Sequence, residues 1–278
     1  VFAAIVDEAR LRNLPIDGHV PLSMRARDVA LQVQSLEHLR NYEMDCVSEP
    51  EIWLAARQQQ LANTANEPGN VLRTRLHELQ RLTAISNEDP EVCAEMTEAL
   101  KATVSVPTLR MNSMDLHIPF MREDFDQAMQ MIPPSVQQEW EAAHTALLAS
   151  EEPVDTTFAE WSLRRTGELH AAGVPIAAGT DTPIGWSIPG YSLHTELEQY
   201  VQVGMTPLEA LHSATVAPAE YFGLEDEMGQ LQVGFIADAV LLTGNPLENI
   251  IDTRRVQAVI NRGALLTRAQ LDSLITER

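Results

Sequence analysis

The chain has 278 residues, 45% hydrophobic and 21% charged, the balance of an ordinary globular protein with enough length to bury a sizeable core. Its 40 acidic residues against 19 basic ones leave a formal charge of −21, so the surface repels nucleic acid and anionic membranes; neither is expected as a partner. No apolar run is long enough to cross a bilayer, and Lys101 is the only lysine.

Residues 1–9 read as a helix, with Phe2, Ile5, Val6 and Ala9 on one face, so the start of the gene product is expected to lie elsewhere and the compartment stays open. A strand is predicted over 14–20, a helix over 24–33 and a short strand over 35–39. This alternation, with one-sided apolar patterning, marks parallel βα units and an α/β fold. Residues 50–100 then turn helical. Ile52, Trp53 and Ala56, then Leu72, Leu76 and Leu79, then Val92, Met96 and Leu100 keep helical spacing, interrupted at Glu67-Pro-Gly69 and Asp89-Pro90. A stretch of this length reads as a helical insertion between strands. Cys46 and Cys93, which flank much of it, form no CxxC pair and are expected to be two buried or half-buried thiols.

A strand over 103–109 follows, then helical text over 123–148 broken at Pro133-Pro134, and a helix over 157–172. The run Val174-Pro-Ile-Ala-Ala-Gly-Thr-Asp-Thr182 reads as a buried parallel strand that carries Asp181 to its C-terminal tip. His19 and His38 also close short apolar runs, so three strand tips each present a side chain able to bind a metal. Helices are predicted over 193–203 and 207–213, the second with Thr206 as N-cap ahead of Pro207. Glycine-punctuated β segments over 229–242 and 256–263 suggest a small appended β module.

Several of these stretches resemble the amidohydrolase superfamily, in particular its imidazolonepropionase-like and prolidase-like members. They are the Asp181 run, Leu193-His-Thr-Glu-Leu197, Gly204-Met-Thr-Pro-Leu-Glu-Ala-Leu211, Ala214-Thr-Val-Ala-Pro-Ala219, Gly229-Gln-Leu231, Gly234-Phe-Ile-Ala-Asp-Ala-Val-Leu-Leu242 and Gly244-Asn-Pro-Leu247. The resemblance implies a distorted (β/α)8 TIM barrel with a β-sandwich built from both chain ends. It also implies one or two divalent ions, zinc in many members, at the barrel mouth. On that basis His19, His38 and Asp181 correspond to the metal ligands after strands five, six and eight. Residues 1–224 then form the C-terminal half of the barrel, strands five to eight, with the insertion at about 50–100. Residues 225–278 supply the C-terminal part of the sandwich and a terminal helix. No His-X-His occurs in the sequence, and Lys101 lies in the wrong place for the bridging lysine of binuclear members. The N-terminal half of the barrel is therefore expected on an upstream segment or a separate chain, and homo-oligomerisation is left open.

The chemistry implied is hydrolysis of a C–N bond in a small amide, dipeptide-like, N-acyl amino acid or cyclic amide substrate. Asp181 would act as metal ligand and as general base and acid. A deaminase of the same superfamily, or an incomplete fragment serving as a structural or binding partner, are the alternatives. His194 is a candidate for substrate contact or for orienting a ligand. Glu196 is expected on the helix surface or behind the ligands, Asp238 in a structural turn. His77, His117, His144, His170 and His212 are expected in solvated or packing roles.

Overall fold

The computed structural model describes residues 1–63 and 67–276. In chain order the elements are α1 (Phe2–Arg12), β1 (Asp17–Gly18), α2 (Ala26–Ala30), β2 (Ser35–Glu37), α3 (Pro50–Ala62), α4 (Gly69–Ser86), α5 (Pro90–Leu100) and β3 (Val104–Val106). There follow α6 (Leu109–Asn112), α7 (Phe125–Met129), α8 (Pro134–Leu148), α9 (Thr157–Ala171), α10 (Tyr191–Gln202), α11 (Pro207–Ser213) and α12 (Val216–Tyr221). The chain closes with β4 (Ala239–Leu242), β5 (Val256–Asn261), β6 (Ala264–Thr267) and α13 (Arg268–Thr276). Among the described residues no helix is long and apolar enough to cross a membrane.

Local chemistry accounts for the helix starts. Asp89 caps α5 by accepting from the N–H groups of Glu91 and Val92 at 3.0 and 3.4 Å, and Pro90 fills the first helical position where no N–H is needed. Thr206 and Glu209 form a reciprocal capping box at α11, each side chain bonded to the other's backbone N–H.

The chain divides into two compact units. The first comprises Val1–Pro107 and Thr157–Ile176. Its parallel sheet runs β1-β2-β3 in sequence order, with Gly18 opposite Leu36 and Leu36 opposite Ser105. Leu36, Leu39, Tyr42, Met96, Leu100, Trp161 and Leu169 fill its core. The helical insertion is present as α3, α4 and α5, broken at the two expected points. The strand predicted over 174–182 is reduced to a single parallel bridge, Ser105 to Ile176, with the Ser105 N–H donating to Pro175 O at 2.8 Å. Pro175 has no N–H to extend that ladder, and the Ala178 N–H turns to Ser213 O at 2.8 Å. Burial therefore came with no more sheet pairing than this one bridge.

The cysteine expectation is overturned: Cys46 and Cys93 form a disulfide, their Cα atoms 4.3 Å apart. An antiparallel bridge between Val47 and Glu88, and the Asp89 N–H on Cys46 O at 2.6 Å, bring the two ends of the insertion together. Both cysteines are buried there.

The second unit comprises Thr108–Thr156 and Ala177–Arg278. In it α10 packs against α6 and α11. Phe125, Ala128, Met129, Ile132 and Ile188 form a separate core cluster. The tail carries a three-stranded antiparallel sheet, β4-β5-β6. Its β5–β6 hairpin turns on Arg262 and Gly263, with φ of 47° and 82°, as a two-residue loop of this hand requires. Asp238 accepts the Arg262 N–H at 2.6 Å and so takes the structural turn role expected of it.

Candidate active site

In the first unit His19 directly follows β1 and His38 directly follows β2. Because the two strands are parallel and paired in register, both imidazoles leave the same end of the sheet. Their ring centroids lie 5.0 Å apart, edge to face at 64°. Two imidazoles binding one tetrahedral zinc through nitrogens at about 2.0–2.1 Å would have centroids roughly 5.2 Å apart, so the observed pair fits a shared cation of this kind. His19 is exposed and His38 buried.

The turn after β2 is held in an unfavourable backbone shape. His38, Leu39 and Asn41 adopt φ of 61°, 55° and 64°, each costing a non-glycine residue on the order of 1 kcal/mol or more. Neighbouring contacts offset this. The His38 N–H donates to Val106 O at 2.8 Å, Asn41 Nδ2 to Val20 O at 2.9 Å, and the buried Arg57 Nη1 to Asn41 Oδ1 at 2.6 Å. Helix α3 of the insertion, through Arg57, thus fixes the loop that aims His38.

Asp181 belongs to the second unit. It is half-buried at φ 50°, and its carbonyl accepts the Ile184 N–H at 2.9 Å to close a tight turn. Hydroxyls of Thr180, Thr182 and Ser187 chain across the turn at 2.9 and 2.6 Å. Arg110 grips its far side, donating to Ile184 O at 2.5 Å and Gly185 O at 2.9 Å. Burial pushes the Arg110 guanidinium down to about 10, opposed by the negative charges of Glu196 and Asp181. Arg110 is positioned in turn by Glu196, whose carboxylate accepts the backbone N–H groups of Leu109 and Arg110 at 2.8 and 2.7 Å.

Of the two places expected for Glu196 the helix surface is excluded, since it is fully buried. Burial raises its carboxyl to about 7 despite the N–H donors and Arg110. A signal existed in the sequence: Glu196 lies on the same helical face as Leu193 and Tyr200. His194, half-buried, bonds through Nδ1 to Thr253 Oγ1 at 2.9 Å. Since that hydroxyl donates to Ile250 O, His194 is the donor of the pair. Burial, then the charge of Arg254, pushes it down to about 4, so it is neutral.

Beside Arg110 the second unit holds a cleft of about 310 Å³, lined by apolar Leu116, Ile118, Met121 and Phe125 and by polar His117, Arg122, Tyr191, Glu198 and Gln199. A charge lattice braces it. Glu198 pairs with Arg122 at 2.9 Å and Arg254 at 2.6 Å, while the Tyr191 hydroxyl donates to Asp124 at 2.6 Å. These partners are scattered along the chain, and sequence spacing gave no hint of them.

Among the described residues the trio of metal-ligating type that converges within 4.8 Å is Cys46, Glu88 and Cys93. Its sulfurs are spent in the disulfide and supply no thiolate. Glu88 accepts from Trp161 Nε1 at 2.6 Å and Arg165 Nη2 at 2.7 Å. The trio is a structural knot rather than a metal centre.

Comparison with known proteins bears on the whole chain. Ochratoxinase of Aspergillus niger is 46% identical over 81 residues, 28% of this chain and 16% of that protein. Imidazolonepropionase of Aeromonas hydrophila is 33% identical over 109 residues, 38% of this chain and 26% of the relative. Among solved structures, a bottromycin amidohydrolase superposes with a TM-score of 0.66 at 20% identity, covering 99% of this chain and 54% of its own. A Xaa-Pro dipeptidase superposes with a TM-score of 0.54 at 19% identity, covering 95% and 47%. The chain thus spans about half the length of the structures it matches. The model of the amidohydrolase family matches residues 2–266. This chain belongs to the amidohydrolase family.

Proposed function

We propose that this chain carries part of the active site of a metal-dependent amidohydrolase that cleaves the C–N bond of a small amide, a dipeptide-like or N-acyl amino acid, or a cyclic amide. The observation that carries the reading is the convergence of His19 and His38 at one end of a parallel sheet. The finer architecture proposed is strands five to eight of a (β/α)8 barrel. It is supported by the in-order parallel sheet and by the roughly half-length match to family structures. The missing strands would come from an upstream segment or a separate chain.

His19 and His38, as neutral imidazoles, would hold a divalent cation of the zinc type. When bound, such an ion lowers the pKa of water from 15.7 to roughly 7 and polarises a carbonyl. The chain's own groups do the rest. Asp181 accepts the proton of the attacking water on a carboxylate oxygen as the C–O bond forms and the carbonyl opens to a tetrahedral species, then returns it to the nitrogen as the C–N bond breaks and the carbonyl re-forms. The Arg110 grip on Ile184 and Gly185 keeps the Asp181 turn in one shape, and Glu196 keeps Arg110 in place.

Asp181→Asn in the natural full-length protein tests the proposal. Turnover of an N-acyl amino acid panel is expected to fall at least about 10²-fold with an unchanged melting temperature. Near-wild-type turnover would remove Asp181 from the chemistry. Release of ammonia alone, with no chain or ring cleavage, would replace the amidase by a deaminase.

A further inference from the structure

One side chain ties together the two loops that carry the histidines. Asn41, buried three residues past His38, donates through Nδ2 at 2.9 Å to the carbonyl of Val20, the residue directly after His19. The amide cannot turn the other way. Arg57 Nη1 lies 2.6 Å from Asn41 Oδ1, and a guanidinium has only hydrogens to offer, so the oxygen faces Arg57 and the NH2 faces Val20. Gln80 holds Arg57 in turn, its Oε1 accepting from Nε at 2.6 Å. A relay of three side chains thus runs from α4 through α3 to both histidine loops.

The relay is costly to build. Arg57 is buried, and burial pushes its guanidinium down, opposed by the charge of Glu43. Taking a charge out of water is tolerated only where its hydrogen bonds are well made, and one of these ends on the amide between the two loops. The backbone at Asn41, with φ of 64°, suits glycine best and asparagine next. Glycine would relieve the strain and lose the link; asparagine accepts the left-handed shape and supplies the link as well. What the link controls is a small distance. The His19 and His38 rings stand 5.0 Å apart between centroids, while metal–nitrogen bonds are fixed to within about 0.2 Å. Loops free to slide by more than that would share a cation poorly.

We propose that Asn41 is a positioning residue that sets the spacing of His19 and His38, and that the α3–α4 insertion, acting through Arg57, thereby governs how tightly the pair holds a divalent ion. The consequence for the ion rests on the metal-dependent reading of the site; the setting of the spacing does not.

The natural full-length protein, stripped of metal and titrated with cobalt(II) as a coloured stand-in for zinc, tests it. Asn41→Gly keeps the left-handed backbone and deletes the amide. It is expected to weaken cobalt binding at least about tenfold, the scale for groups that orient metal ligands, and to shift the visible absorption of the bound ion. Asn41→Asp keeps the link to Arg57 and loses only the donor to Val20; it should do the same, and serves if Asn41→Gly does not fold. Leu169→Val, a core change in the same unit, should lower the melting temperature and leave cobalt affinity as in wild type. In metal-free protein with labelled histidines, the NMR signals of His19 and His38 should both move in Asn41→Gly and stay in place in Leu169→Val. His19 is the telling one, because residue 41 belongs to the other loop. Wild-type cobalt affinity in both Asn41 variants, an unmoved His19 signal, or an equal loss of affinity in Leu169→Val would each overturn the proposal. A wild-type protein that takes up no cobalt, while the His19 signal still moves in Asn41→Gly, would remove the metal and leave the brace standing.

Discussion

Breaking the Cys46–Cys93 bond should cost the fold several kcal/mol. The two cysteines are 47 positions apart, and the loop they close contains α3 and α4, about one sixth of the chain. Chain-entropy arithmetic for a loop of that length gives about 4 kcal/mol at 25 °C, because the cross-link removes conformations from the unfolded ensemble. With a urea m-value of about 3 kcal/mol/M, the unfolding midpoint should drop by about 1.3 M. The assay is urea unfolding of the natural protein, followed by circular dichroism, with and without a thiol reductant. A Cys46→Ala/Cys93→Ala variant should match the reduced wild type and ignore the reductant. Since the bond joins α5 to the loop that continues from His38, the reduced protein should also hold the divalent ion proposed for His19 and His38 less tightly. A midpoint indifferent to reductant, or two thiols alkylated in the untreated unfolded protein, would refute both the pairing and the arithmetic.

Two further outcomes follow from the second unit. Burial raises the Glu196 carboxyl from 4.5 to about 7, so folding favours its protonated form. The associated stability is complete below about pH 4.5 and is lost as pH rises through about 7, amounting to roughly 3 kcal/mol. Glu196→Gln should flatten the pH dependence of unfolding free energy across that window, and identical slopes in variant and wild type would show the burial cost to be absent. Arg110→Met should lower kcat/KM about 10²-fold by loosening the Asp181 turn, and Arg110→Lys should not restore it, since an ammonium lacks the fork that reaches two carbonyls. Rescue by lysine would mean that charge alone is needed.

What the sequence made legible was local. Thr206 followed by Pro207 and Glu209 predicts a helix start from neighbouring side chains alone, and Asp89-Pro90 does the same for α5. His19 and His38 were recognisable because each ends an apolar run, and parallel pairing then places them at the same sheet end. Strand length was less legible. Apolar text such as 174–182 records burial, whereas a strand also needs N–H donors, and Pro175 and the Ala178–Ser213 bond remove them. Long-range pairings were silent altogether. Nothing in the text between Cys46 and Cys93 says that the insertion folds back on itself. The Arg122–Glu198–Arg254–Asp124 lattice likewise joins residues that share no pattern.

The segment that follows Asp181 is held from two sides, by Leu109 and Arg110 with α10 behind them and by the excursion from Ser113 to Thr156, whose Phe120 and His144 rings lie 5.1 and 6.0 Å from the Trp186 ring. The same excursion supplies Leu116, Ile118, Met121 and Phe125 to the cleft, so one stretch of chain both lines that space and braces the Asp181 segment. Exchanging that excursion would therefore disturb the turn together with the cleft, and the two are expected to change in concert rather than piece by piece.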